Sequence, residues 1–491
     1  MKKEEFFEAL NDLDEKDLYD AGQMKKNKTF NWYKPAIALL AVCLLAVLIL
    51  PRIMRKEDPG HTPVITGPGD DPVVTVPGEI KTVAAEYPAG FGKNMDAQTF
   101  LGSSAYQEWW EQWRQSNEQS RRYADSMYAY YRNLLKTVLK AEDENTVCSP
   151  LNTYIAFSML AEVTGGNSRA QLLKMLGAED PAALREKNET LWRSNYINTP
   201  NAASVLANSL WLNNEVRYRE DTLRILADHY FASSFIGKPG TEEMDRALRD
   251  WTDENTMGLL REYTENMKLD TGTVLDLVSA IYYVCPWTEE FLPEENTEET
   301  FRGTASETLV DMMHKSEIMT VYRTDSFMAL SLPLQENAFM HVYLPNSGTD
   351  VSALAENEDV FRVARFDSEM ESRSVSAIVN LGIPKFRVTE SMDLKEVLQK
   401  MGVTDLFDSS AADFSPLTEE AGEISLSSAK HNAMLEIDEK GVKGAAYTEM
   451  ILAGGIPNPA ETIDFILDRP FMFVITSRDS SILFAGIVRN L

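Results

Sequence analysis

The chain has 491 residues, of which 44% are hydrophobic and 25% charged, enough apolar side chains for a large packed domain with appendages. Its 76 acidic residues outnumber 47 basic ones, and a formal charge of −29 repels phosphate backbones, which argues against nucleic acid as a partner. Cys43, Cys148 and Cys285 are too few and too scattered for a disulfide framework or a zinc site.

Residues 1–22 place Phe6, Phe7, Leu10 and Leu13 at helical spacing among many carboxylates, which predicts a short acidic amphipathic helix. The run at 36–50, "AIALLAVCLLAVLIL", is uninterrupted and apolar. Trp32 and Tyr33 precede it, and Arg52, Arg55 and Lys56 follow. Its strict core is short of the ~20 residues of a bilayer crossing, but aromatic flanks and snorkelling arginines extend it. A cleaved signal peptide competes; the polar segment before the run and the lack of a small-residue cleavage site after it favour a single-pass anchor. The expected order is a tail at 1–34, a membrane helix at 35–56 and a spacer at 57–84, then a folded region at 85–491. The flanking positive charges are nearly balanced and do not fix the orientation. Residues 57–80 hold five prolines and four glycines, the composition of an extended spacer.

Beyond residue 85, "WWEQWRQSNEQSRRYADSMYAYYRNLLKTVLKAE" predicts one or two helices, with Trp109 and Trp113 as core anchors. Alternating apolar runs predict strands at "SVLANSLWLNN", "TVLDLVSAIYYV", "AFMHVYLP", "AIVNLGIPKFRV", "NAMLEIDEKG" and "FMFVITS…SILFAGIV". Helices concentrate in the first half and strands in the second, an α+β arrangement. Cys148 and Cys285 fall among core-like residues and read as buried thiols. The five histidines, His61, His229, His314, His341 and His431, stand apart. No metalloprotease, nucleophile-elbow, phosphate-loop or dinucleotide motif occurs. Nothing points to an enzyme.

"NTVCSPLNTYIAFSMLAEVTGGNSRAQLLKMLG" resembles the first conserved block of the serpin family through Asn145, Ser149, Pro150, Gly166, Asn167, Ser168 and Gln171. "LRDWTDENTMGLL" is similar to the next block through Trp251, Thr256 and Gly258, and "VSAIYYVCPWTEEF" to the strand and turn ending at Trp287 and Phe291. "IPKFRV", "HNAMLEIDEKG" and "DRPFMFVI…ILFAGIVRNL" follow in the family's order. The resemblance spans roughly 85–491. It implies an α+β fold with a central, mostly antiparallel sheet, further sheets, surrounding helices and an exposed reactive loop. It implies no cofactor, no metal and a protease as partner, with the chain acting as an inhibitor and not an enzyme.

The loop is "DEKGVKGAAYTEMILAGGIPNP", from residue 438 to 459. From Gly441 its side chains alternate: Val442, Gly444, Ala446, Thr448, Met450 and Leu452 form one set; Lys443, Ala445, Tyr447, Glu449 and Ile451 form the other. The first set is mostly apolar or small, so the segment is a period-two strand kept in a loop. Proline is absent between Gly441 and Ile456, as a central strand requires. Serpin-like inhibitors expose such a loop as a protease substrate and insert it into a sheet after cleavage. Counting as the family does, the reactive bond is Gly455–Ile456, with cleavage after Met450 or Leu452 as the alternative. Glu439, Lys440, Gly441, Val442, Lys443, Gly444, Ala445 and Ala446 form the hinge.

The hinge departs from the family in Val442 for Thr or Ser, Gly444 for Ala, and Tyr447 for a small residue. Val442 would enter the sheet first, and its β-branched side chain would slow that step. A polar cluster under the sheet opening is implied at Ser149, Asn152, Ser279 and His431, where Asn152 and Ser279 look exchanged relative to the family's serine and asparagine. Lys443 is the only basic residue between Gly441 and Ile456, which disfavours trypsin-like targets. Gly455 suits elastase- or subtilisin-like enzymes, and "LAGG" also resembles sites of papain-like cysteine proteases. The expected molecule is a monomeric inhibitor anchored in the membrane of a bacterial-type cell, with a cytoplasmic tail and an extracellular domain. The rival expectations are a non-inhibitory binding module on the same fold and a transmembrane sensor of cleavage.

Overall fold

The computed structural model describes residues 80–87, 117–140, 143–198, 202–258, 261–420, 424–442 and 461–491. All belong to the unit spanning 67–491. The apolar run at 36–50, Trp109 and Trp113 lie outside them; among the described residues no helix is long and apolar enough to cross a membrane.

Long alternating strands build a central sheet. Its order is β1 (Lys81–Val83), β5 (Ala232–Gly237), β4 (Ala203–Asn213), β6 (Leu275–Pro286), β14 (Gly441–Val442), β13 (Ser428–Asp438) and β12 (Phe386–Asp393), with β3 (Ile197–Asn198) beside β4. Most neighbours are antiparallel, but β4–β5 and β6–β13 are parallel. A second sheet runs β15 (Thr462–Ile466), β11 (Ser374–Pro384), β8 (Glu307–Arg323), β9 (Phe327–Pro333), β10 (Phe339–Pro345), β16 (Phe471–Thr476), β17 (Ile482–Val488) and β2 (Thr146–Cys148). There β7 (Thr297–Arg302) pairs with β8. Strands β16 and β17 are buried at every residue, as unbroken apolar runs require.

Helix α1 (Tyr128–Val138) continues residues 117–126, which are also helical. Helix α2 (Pro150–Val163) is buried at all 14 positions, because its sequence is apolar around the whole circumference and the sheets enclose it. Ser149 caps it by accepting from Asn152 N, and Pro150 occupies the first turn, where no amide donor is missed. Helices α3 (Gly166–Leu176), α4 (Pro181–Asn195) and α5 (Glu220–Tyr230) follow. Helix α6 (Glu242–Asn255) packs Met244 and Trp251 with Trp211, Val278 and Ala280 on the sheet's other face. Both faces of β6 are therefore covered, which explains why nearly all of it is buried.

Three features refine the sequence picture. Residues 81–83, inside the stretch read as spacer, pair with β5, and Tyr87 packs its ring 5.1 Å from Trp192. Folded chain thus begins before residue 85, because β5 offers a free edge that a three-residue strand completes. Asn167 and Gln171 donate to Asp405 at 2.6 and 2.7 Å, and Ser168 accepts from Asp413 N, so this block docks α3 onto a distant loop. Cys148 and Cys285 are buried free thiols, the latter pushed up to about 12 by burial.

Candidate functional site

The boundary between β6 and β13 is the site. At its lower end the two strands pair directly, from Ser428 opposite Asp276 to Asn432 opposite Ala280. The N-terminus of α2 ends beneath this pairing. His431 Nε2 accepts from Ser149 N at 2.9 Å, and its Nδ1 lies 3.2 Å from Ser279 Oγ. A ring nitrogen that accepts from an amide is unprotonated, so Nδ1 carries the proton and donates to Ser279. Asn152 Nδ2 donates to Ser279 Oγ at 2.9 Å and to Ala280 O at 2.7 Å.

Ser149, Asn152, Ser279 and His431 are thus brought together, each fully buried. Burial holds His431 neutral, with a pKa lowered to about 3. The exchange of Asn152 and Ser279 preserves the bonding, since the amide now reaches up from the helix to a hydroxyl on the strand. A fifth member, Asn208, donates to Asn152 Oδ1 at 2.8 Å and sits opposite Ser279 on β4. Sequence reasoning missed it; the available signal is one asparagine on the inward phase of "SVLANSLWLNN".

At the upper end the strands part, and β14 lies between them. Val442 pairs with Cys285 on one side and Ile437 on the other; Gly441 pairs with Pro286 and Asp438. Val442 is 1% exposed. The residue expected to enter on cleavage already occupies the first rung, where it packs as a strand residue and its branched side chain is favourable. Gly441 has φ +138°, and a Cβ there would stand 2.5 Å from Cys285 O. Residues 281–284 and 433–436, just below, are not paired with one another.

The turn into β14 is tied by three backbone carbonyls. Phe291 N donates to Glu439 O and Trp287 N to Lys440 O, each at 2.9 Å, and Trp287 Nε1 donates to Asp438 O at 3.0 Å. The Glu439 carboxylate meets Lys385 Nζ at 2.7 Å and Asn296 Nδ2 at 2.6 Å. Burial pushes this carboxyl up, but those two partners outweigh it and hold it below the ordinary range. Lys443, Gly444, Ala445, Ala446, Gly455 and Ile456 lie outside the described residues. Among the described residues no group of three or more His, Cys, Asp or Glu could hold a metal ion.

A sheet with helices on both faces, a polar cluster beneath one boundary and a chain segment wedged into that boundary define a class. The family model for serpins, serine protease inhibitors, matches residues 126–491, and the chain belongs to this family. The leukocyte elastase inhibitor of Sus scrofa is 31% identical over 353 residues, covering 70% of this chain and 92% of that protein. Native tengpin, a thermophilic serpin, superposes with a TM-score of 0.66 at 22% identity, covering 83% of this chain and 98% of tengpin. Human thyroxine-binding globulin, in complex with its hormone, gives 0.64 at 24% identity, covering 76% and 99%. The relatives support a protease inhibitor of serpin type, not an enzyme.

Proposed function

We propose that this chain is a suicide-substrate inhibitor of extracellular serine proteases, with papain-like cysteine proteases as a further target class. The single observation that supports this reading is β14, two residues of the reactive segment held between β6 and β13. Continued in the same register, residues 443–446 would meet 281–284 and 433–436 without breaking any strand pair. From Tyr447 onward the direct β6–β13 pairs must open, and Thr448 would come level with Ser279 and His431. Each new backbone bond contributes only ~1 kcal/mol net, yet a dozen with apolar burial amount to on the order of 10 kcal/mol, the scale of a domain's stability. Attack on the Gly455 carbonyl would form an acyl-enzyme, and insertion would drag the tethered protease away. Catalytic groups need placement within about half an ångström, so distortion stops deacylation.

Incubation with a panel of elastase-, subtilisin-, trypsin- and papain-like enzymes tests this. A denaturant-resistant covalent band is expected with an elastase- or subtilisin-like member and none with the trypsin-like one. The released C-terminal peptide should begin at Ile456; a start at Ile451 or Ala453 moves the bond. The run at 36–50 supports a membrane anchor, displaying a monomeric inhibitor outside a bacterial-type cell with residues 1–34 inside. Protease treatment of intact cells should remove residues 85–491, and full protection reverses the topology. The second reading, a non-inhibitory module, is favoured by the likeness to thyroxine-binding globulin and by Gly444 and Tyr447 in the hinge.

A further inference from the structure

The lower seam carries another buried titratable group. Asp276, the second residue of β6, stands directly across from Ser428 of β13 and is 6% exposed. Ser428, directly across the seam, favours the charged form of this carboxyl, whereas Oδ1 has no hydrogen-bond partner among the described residues. On its other flank β4 sets the uncharged Trp211 opposite it. Lys430 of β13 acts on it favourably, and Asp270, before β6, unfavourably. Helix α6 covers this face with Met244 and Trp251, while its Asp245 is turned to Leu269 N at 2.9 Å. Burial outweighs the opposing influence of Ser428 and the charge of Lys430, and the carboxyl is pushed up to about 6.

We propose that two protons of opposite effect balance the lower seam, one on Asp276 that holds β6 and β13 together and one on His431 that is taken up when they part. Both side chains lie in the directly paired stretch, on opposite faces, within three residues of each other along β6 and its partner rung. A carboxyl that is dry in the closed seam and wet in a parted one binds its proton more tightly when closed, so acid favours closure through Asp276. An imidazole does the reverse, so acid favours parting through His431. Between pH 7.5 and pH 5 these amount to about tenfold towards closure and about thirtyfold towards parting, relative to the ordinary values of Asp and His. The net acid sensitivity of the seam is then only about threefold.

The inference rests on the seam being where the sheet parts, but its readout needs neither insertion nor inhibition. Amide hydrogen exchange is followed at 276–280 and 428–432 in the full-length protein, as variant over wild type at each pH, which cancels intrinsic exchange. Asp276→Asn is expected to give a protection gain about tenfold larger at pH 7.5 than at pH 5. His431→Gln is expected to gain about thirtyfold over wild type on passing from pH 7.5 to pH 5, whatever its offset. Equal ratios at the two pH values for Asp276→Asn, or a trend of opposite sign, overturn the proposal. Asp276→Ser, smaller and also uncharged, must show the same trend as Asp276→Asn, and a failure to do so overturns it equally. An inhibitor that forms no covalent complex would leave these exchange ratios unchanged, so the two readings fail separately.

Discussion

At its upper end the boundary between β6 and β13 is filled by Gly441 and Val442, whereas at its lower end the strands bond to each other over a buried polar cluster. The upper end is held by hydrogen bonds from Trp287 and Phe291 to backbone carbonyls and by the partly exposed Lys385–Glu439 ion pair. The lower end is held by direct strand pairing over the neutral, fully buried side chains of Ser149, Asn152, Ser279 and His431. Partly exposed ion pairs contribute little, while an unpartnered buried polar group is expensive. The barrier to parting therefore belongs to the lower end, and the upper end supplies direction and register.

The largest expected effect breaks or secures this contrast. Cleavage in the loop should raise the melting temperature by roughly 20 °C, the shift that about 10 kcal/mol gives a large domain. Unchanged heat tolerance of nicked protein would mean that the lower end does not open. Next, His431→Ala leaves Ser149 N and Ser279 Oγ without their partner and creates a cavity, a loss of about 3 kcal/mol. Spontaneous conversion to a loop-inserted form during storage at moderate heat should accelerate; an unchanged rate would move the barrier elsewhere.

Gly441→Ala combines a left-handed backbone with a Cβ against Cys285 O, a strain of about 2 kcal/mol. It should expel β14, read as new limited-proteolysis cuts between 439 and 446, while the lower seam keeps its exchange protection. Smallest is Glu439→Gln, about 1 kcal/mol. A carboxyl held below its unfolded value contributes stability above that value and loses it as pH falls through the folded one. Wild type should therefore lose stability in acid below the ordinary carboxylate range, and the variant should lose less, as thermal melts between pH 6 and 3 would record.

Much of the fold was legible because strand runs and family blocks are local: Trp251, Trp287 and Phe291 stand where the motifs put them, and α2 is apolar all round. Four members of the polar cluster were legible through the same blocks. Asn208 was not, because a single asparagine in a strand carries no mark of facing a helix from another part of the chain. The strand at 81–83 was read with the proline-rich stretch that precedes it, since its pairing depends on the free edge of β5. Val442 read as a residue outside the sheet, because a two-residue intercalation leaves no periodic trace.

By itself the amino-acid sequence determined the period-two segment after Gly441, its freedom from proline and the residue types available to cap α2. Tertiary structure alone decided which strands meet at the seam, that Val442 already lies between them, and that Asp276 and His431 lose their water together. Alternation is written in neighbouring residues, but pairing and desolvation arise only when segments more than a hundred residues apart come into contact.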